Sequence, residues 1–394
     1  TGGTNTAVGS SALLDNTTGG HNTAMGDDAL ANNTTADGNT AIGRNSMNAN
    51  TTGANNTAVG RNALDANTTA SNNVAVGHNS LSSNTTGTTT VAVGQGALEA
   101  NTTASSNTAV GFNAMLSNTT GSINTALGAY ALDAATTADN NTAVGFGGLG
   151  ATTTGANNVA VGSYALDANT TASNNTGVGH QSLTDNTTGY GNTAVGKNSL
   201  ANNTTGYHNT SIGADSMETN TEGHSNTAVG ESALLATTDG DNNVAIGMDA
   251  LKANTTANSN TAVGSAAMIA NTTGTQNVAV GRSALDANTT ASNNTAVGYE
   301  SMTTNTTGAE NVGIGTSALK NNTTGSTNVA VGISALEDNT TADENTCVGA
   351  YSLTTNTTGA SNTAMGTDAL RLNTTGSSNT AFGRDSLRAN TTAS

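Results

Sequence analysis

The chain has 394 residues with nine Lys and Arg against 26 Asp and Glu, no Trp, no Pro, six Tyr, three Phe and one Cys, for a net charge of −17. A single cysteine excludes an internal disulfide framework, and so few cations, with no basic stripe, speak against nucleic-acid binding. Asn, Thr, Gly and Ala dominate, so no large conventional core can be assembled, and no run approaches the roughly 18 apolar residues of a membrane span.

Read from the N-terminus, the chain begins with Thr and shows no signal peptide, which suggests a mature or excerpted piece of something longer. From Asn5 onward one seventeen-residue phrase restarts without insertion or deletion through to Asn379, giving 23 copies. Residues 56–72 read NTAVGRNALDANTTASN and residues 73–89 read NVAVGHNSLSSNTTGTT. A fixed short period points to a stacked array and overrides the prior of two or three domains that the length would suggest. One continuous array over residues 1–394 is expected. Low hydrophobicity alone would also fit disorder, but disordered tracts do not hold a few apolar residues in register.

Slots are numbered here from the repeated Asn. Slot 5 is Gly and slot 13 is Thr in all 23 copies; slot 1 is Asn except at Thr90, and slot 12 is Asn except at Ala135, Thr152 and Thr237. Slot 4 is always apolar, slot 9 is always Leu or Met, and slots 3 and 8 stay small. Slot 2 is Thr sixteen times and Val seven times. Of the 35 charged residues, 33 fall in slots 6, 7, 10, 11, 16 and 17, the exceptions being Glu222 and Asp239 in slot 14. Those six slots are expected to face water.

Slots 2–4 alternate as a strand does, with slots 2 and 4 on one side. A second short extended piece around slots 7–10 is expected to bring Leu inward at slot 9. Gly at slot 5 and the Asn-Thr-Thr-Gly/Ala stretch at slots 12–15 read as turns, since Gly and Asn tolerate a left-handed backbone. Helix is disfavoured by residue type and by the missing 3.6 period. Two short strands and two turns describe one coil of an all-β parallel β-solenoid in which residue i lies over residue i+17. At about 4.8 Å per step, the whole array would reach about 105 Å. Equivalent slots would form ladders, shown by Val59, Gly60, Leu64, Asn67 and Thr68 in one copy and by Asn73, Val76, Gly77, Leu81, Asn84 and Thr85 in the next. One copy orders seventeen residues around two large side chains and cannot fold alone; stacking makes stability accumulate along the axis and leaves the ends weakest. Unprotected solenoid ends invite end-to-end association into a filament, so capping or further domains are expected outside this piece.

The wording NVAVG at Asn73–Gly77, repeated from Asn158, Asn277 and Asn328, resembles the S-V-A-I-G signature of the head repeats of YadA-like trimeric autotransporter adhesins, which also occur in phage tail fibres. The resemblance implies a left-handed parallel β-roll, three chains around a shared apolar centre, and a rigid extracellular fibre on a cell surface or virion that binds a host or matrix receptor or glycan. The residues themselves leave the oligomer open. The slot 4 and slot 9 rows either zip together inside a thin single-chain solenoid, the first choice, or complete a core shared by three chains.

Chemistry is sparse. GFGGLG at Gly145–Gly150 matches a dinucleotide pattern, but ATTTG follows where a helix should begin, so the match reads as accidental. His21, His78, His180, His208 and His224 read as surface histidines, with only His208 and His224 one coil apart. Cys347 stands at a small slot 3 position and reads as a tolerated small residue. Asp239 and Asp241 lack the ligand count of a Ca²⁺ site. No cofactor, no metal and no catalysis are expected, since general acid/base work would require clustered carboxylates on neighbouring coils. The NTT segments, as at Asn16 and Asn50, read as ladders in preference to glycosylation acceptors. The expected function is a structural or adhesive fibre shaft; the alternative is an ice-binding solenoid with Thr rows. The slot map makes one direct prediction: Leu166→Asp breaks the stack locally while Asp167→Lys leaves stability nearly unchanged, as read by hydrogen exchange, and equal tolerance at both sites would refute the inside/outside assignment.

Overall fold

A computed structural model describes residues 2–394 and shows an all-β parallel solenoid, with no helix among the described residues. Each copy contributes one strand of three residues at slots 2–4. The strands fall into two compact units, Thr1–Asn192 and Thr193–Ser394. The first holds eleven strands, β1 (Thr6–Val8) to β11 (Thr176–Val178), and the second twelve, β12 (Thr193–Val195) to β23 (Thr380–Phe382). Within each unit, successive strands pair in parallel with residue i beside i+17, as Thr57, Ala58 and Val59 lie beside Val74, Ala75 and Val76. β-Branched Thr and Val favour this extended segment.

The rest of the coil is turn, and here the expectation of a second extended piece at slots 7–10 is corrected. Slots 7, 9 and 17 adopt the left-handed conformation, as at Asn62 (φ 56°), Leu64 (φ 54°) and Asn72 (φ 64°). At each one the N–H donates to an adjacent coil: Asn62 to Arg44 O (3.0 Å), Leu64 to Ser80 O (3.0 Å) and Asn72 to Ala54 O (3.1 Å). The corners therefore continue the axial hydrogen bonding that the short strand begins. For Leu or Met this conformation costs roughly 1–2 kcal/mol, yet every slot 9 residue from Leu13 to Leu387 adopts it. From Leu30 to Leu370, complete burial of the side chain, worth about 1.5–3 kcal/mol, and the axial hydrogen bond offset the strain; Leu13 and Leu387, in the first and last coils, are half-buried and exposed. The left-handed corners expected at the slot 12 Asn residues lie instead at slots 7, 9 and 17, alongside the Gly at slot 5.

That glycine is required twice over. Slot 5 has φ between +104° and +145° in all 23 copies, a region that L side chains avoid. A Cβ at Gly60 would lie 2.4 Å from Gly77 O in the next coil, too close for any side chain. Slot 15 is tight for the second reason alone, since a Cβ at Gly53 would lie 2.2 Å from Ala70 O. Ala occupies slot 15 nine times but never in two successive coils, as a turn that must yield to one extra methyl would require.

The interior is thin. Slot 3 Ala, slot 8 Ala or Ser, slot 9 Leu or Met and the Asn of slots 1 and 12 fill it, as with Ala58, Ala63, Leu64, Asn56 and Asn67, all with no exposed surface. The expectation that slots 4 and 9 interlock inside is overturned: slot 4 points outward with slot 2, and only one large apolar side chain per coil is buried.

Buried amides are tolerated because they form ladders. At slot 12, Asn67 Nδ2 donates to Asn50 Oδ1 in the coil below (2.8 Å) and to Ala70 O in its own turn (3.0 Å). At slot 1, the backbone N–H of Asn73 donates to Asn56 Oδ1 (2.9 Å), while Asn73 Nδ2 donates to Gly87 O (2.9 Å). Ala135 and Thr237 interrupt the slot 12 ladder, and the Oδ1 atoms left without a partner belong to Asn118 and Asn220, one coil below each. Ala135→Asn is therefore expected to supply the missing donor and stabilise its coil by about 1 kcal/mol, seen as slower amide exchange around residues 118–152; unchanged or faster exchange would count against the ladder as a source of stability.

Candidate functional surface

Every coil sets two side chains outward from its strand, slot 2 and slot 4, with a small slot 3 residue between them that is buried in every coil but the first. In the first unit Val59 and Val76 are half-buried and Leu127 is 49% exposed; in the second, Ile212, Ile246 and Ile314 are 36% exposed or more. Ten strand-to-strand steps in the first unit make the slot 4 residues an apolar row about 50 Å long. The slot 2 row beside it is Thr at Thr57 and Thr108 and Val at Val74 and Val91.

The expected ladder residues occupy three environments. Leu64, Leu81, Asn67, Asn73 and Asn84 are buried. Thr68 and Thr85 sit half-buried at the turn, where Thr68 Oγ1 donates to Thr85 O (3.3 Å) and Thr85 Oγ1 to Thr102 O (3.0 Å). Gly60 and Gly77 are partly exposed at the corner, and Val59 and Val76 belong to the outward ridge.

Reactive groups are held apart or already engaged. The rings of His208 and His224 both contact Tyr207, with His224 stacked at 4.6 Å. His224 Nε2 also meets Asp241 Oδ2 at 3.2 Å. Asp239 accepts from Thr221 Oγ1 (3.3 Å) and Asp241 from the His224 N–H (2.8 Å), so the two carboxylates face different partners. No group of three or more metal-ligating side chains occurs among the described residues. In GFGGLG, Gly145 is an ordinary slot 5 glycine (φ +129°), and turn follows it where a nucleotide site would need a helix.

Sequence reasoning missed a set of partly buried carboxylates in slot 10. Burial holds the carboxyls of Asp65, Asp133, Asp167 and Asp286 above their ordinary range, and neighbouring charge adds to this at Asp133, from Asp167, and at Asp167, from Asp185. The signal available in the sequence was the recurrent ALDA context of all four.

Cys347 is wholly buried at slot 3, and burial pushes its thiol far above the usual range. Only thiolate reacts readily, so the folded chain is expected to resist a thiol-titrating disulfide reagent and to consume one equivalent after denaturation; rapid reaction in the native state would contradict this packing. No protein-family model matches the chain, and no curated protein matches it.

Proposed function

We propose that the chain is a non-catalytic structural shaft of an extracellular fibre, displayed on a cell surface or virion, whose copies associate along the strand face. The observation that carries this reading is the outward slot 4 ridge, apolar in every copy and backed by a rigid ladder of buried hydrogen bonds. Apolar side chains that could have been polar without harm to the interior call for a covering surface. The ridge repeats with the coil, so a second copy of the same chain matches it step for step. The resemblance to adhesin head repeats favours three copies around that face. Charges on slots 6, 7, 10, 11, 16 and 17 then remain in water and keep assembled fibres apart.

Val110→Lys, Val144→Lys and Val161→Lys together place three charges on the ridge without touching the interior. Sedimentation of the full chain is expected to show an assembly of several copies for the native sequence and single chains for the triple variant, with unchanged circular dichroism. A native chain that sediments as a monomer, or a triple variant that assembles like the native chain, would defeat the proposal.

The outward Thr row of slot 2 supports a second reading, ice binding, because regular hydroxyls on a flat sheet can order water. Its neighbour on the face is an apolar row and not a second Thr row, and Val interrupts it seven times. Clear thermal hysteresis in the native chain would replace the fibre reading.

A further inference from the structure

Four of the chain's nine aromatic side chains, Phe112, Tyr130, Phe146 and Tyr164, fall in four successive coils of the first unit, in slots 6 and 7. Their rings meet edge to face in a continuous row, with centroids 5.3, 5.7 and 5.4 Å apart. All four remain 37–45% exposed.

Beside this row lies a notch made by glycines. A Cβ on Gly147 would lie 3.3 Å from the Tyr164 ring and 3.7 Å from Asp167 Oδ1. One on Gly150 would lie 2.7 Å from Asp167 Oδ1 and 3.7 Å from Asp133 Oδ1, so those two oxygens are no more than 6.4 Å apart, the sum of the two distances. Two half-buried carboxylates thus converge over Gly150 next to exposed aromatic rings. No Lys or Arg occurs between Arg61 and Lys197 to neutralise them. Burial, and after it the charge of Asp167, holds the Asp133 carboxyl above its ordinary range, and a cation between the two carboxylates would relieve the charge contribution.

The second unit contains an occupied counterpart of this arrangement. There the Arg371 guanidinium lies 5.2 Å from the centroid of the Tyr351 ring, and its Nη1 donates to Asp368 Oδ1 (2.8 Å). Tyr351 stands in slot 7, and Arg371 in slot 10 of the following coil. The same slot relation joins Tyr130 to Gly150. Where the second unit supplies its own guanidinium over a tyrosine, the first supplies glycine flanked by carboxylates.

We infer that the notch over Gly147 and Gly150, bordered by Tyr130, Tyr164, Asp133 and Asp167, is a docking site for a guanidinium group on a basic segment of a partner protein. A guanidinium stacks on an aromatic ring and bridges carboxylates with its planar fork, which an ammonium cannot do. A neutral sugar would use the rings but would leave the convergent charge uncompensated.

The test is calorimetric titration of the full chain with an end-capped tri-arginine peptide at low ionic strength. Saturable binding is expected. Removing both carboxylates (Asp133→Asn with Asp167→Asn) is expected to weaken it by at least about tenfold, as is filling the notch from within (Gly150→Arg), consistent with a cation–π contact plus a charge pair. The pair Asp65→Asn with Asp286→Asn, which removes equal charge from equivalent slots elsewhere, is expected to change affinity by no more than about twofold. If Gly150→Arg disturbs its coil, the near-isosteric Asp133→Asn alone carries the same readout. Absence of saturable binding, equal weakening by both Asn pairs, or binding of a neutral oligosaccharide in place of the peptide that is lost in Tyr130→Ala would each overturn the inference.

Discussion

Axial hydrogen bonding between one coil and the next is the constraint on which each unit of this protein depends. Only three of every seventeen residues are strand, so the sheet alone cannot hold a coil in place. The corners do the remainder by turning left-handed at slots 7, 9 and 17, which aims their N–H groups along the axis. Buried Asn side chains at slots 1 and 12 extend the same direction of bonding through the interior. A buried polar group is costly unless paired, and here its partner is the same residue one coil away. The requirement is cooperative. Each Asn is worth keeping only if its neighbours are Asn, and the unpaired oxygens of Asn118 and Asn220 show what one substitution leaves behind.

The constraint also explains where variation is permitted. Slot 5 has no freedom because its backbone conformation and its contact with the next coil both exclude a side chain. Slots 6, 7 and 10 look outward from the corner and accept charge, rings or glycine at little cost to the stack. Local chemistry can therefore be written on the corner without disturbing the scaffold, as with the aromatic row of Phe112 to Tyr164 and the Arg371–Tyr351 pair. The strand face is different again, since its slot 4 row is apolar in every copy and yet contributes little to the interior.

Much of this was legible in the residues. The period gave the stacking, Gly at slot 5 gave a left-handed corner, and Leu at slot 9 was correctly placed inside. The ladder at slots 12 and 13 followed from Asn and Thr recurring where turn residues need not be identical. Other features were not legible. Asn62 and Asn72 suggested solvent by their polar, charge-tolerant slots, and nothing marked them as left-handed. Leu64 gave no hint at all, because leucine ordinarily avoids that conformation and adopts it only under tertiary compulsion. The aromatic row was hidden because its members alternate between slots 6 and 7, and only the corner geometry brings the rings together.

The sequence by itself determined the repeat length, the superposition of equivalent residues and the alternation of slots 2, 3 and 4 across a strand, because period and pleat are properties of the chain. It did not determine which side of that strand faces in, since Ala between Val and Thr satisfies either reading. Tertiary structure decided it by volume. An interior only wide enough for one leucine per coil accepts the methyl of slot 3 and turns the larger side chains of slots 2 and 4 outward.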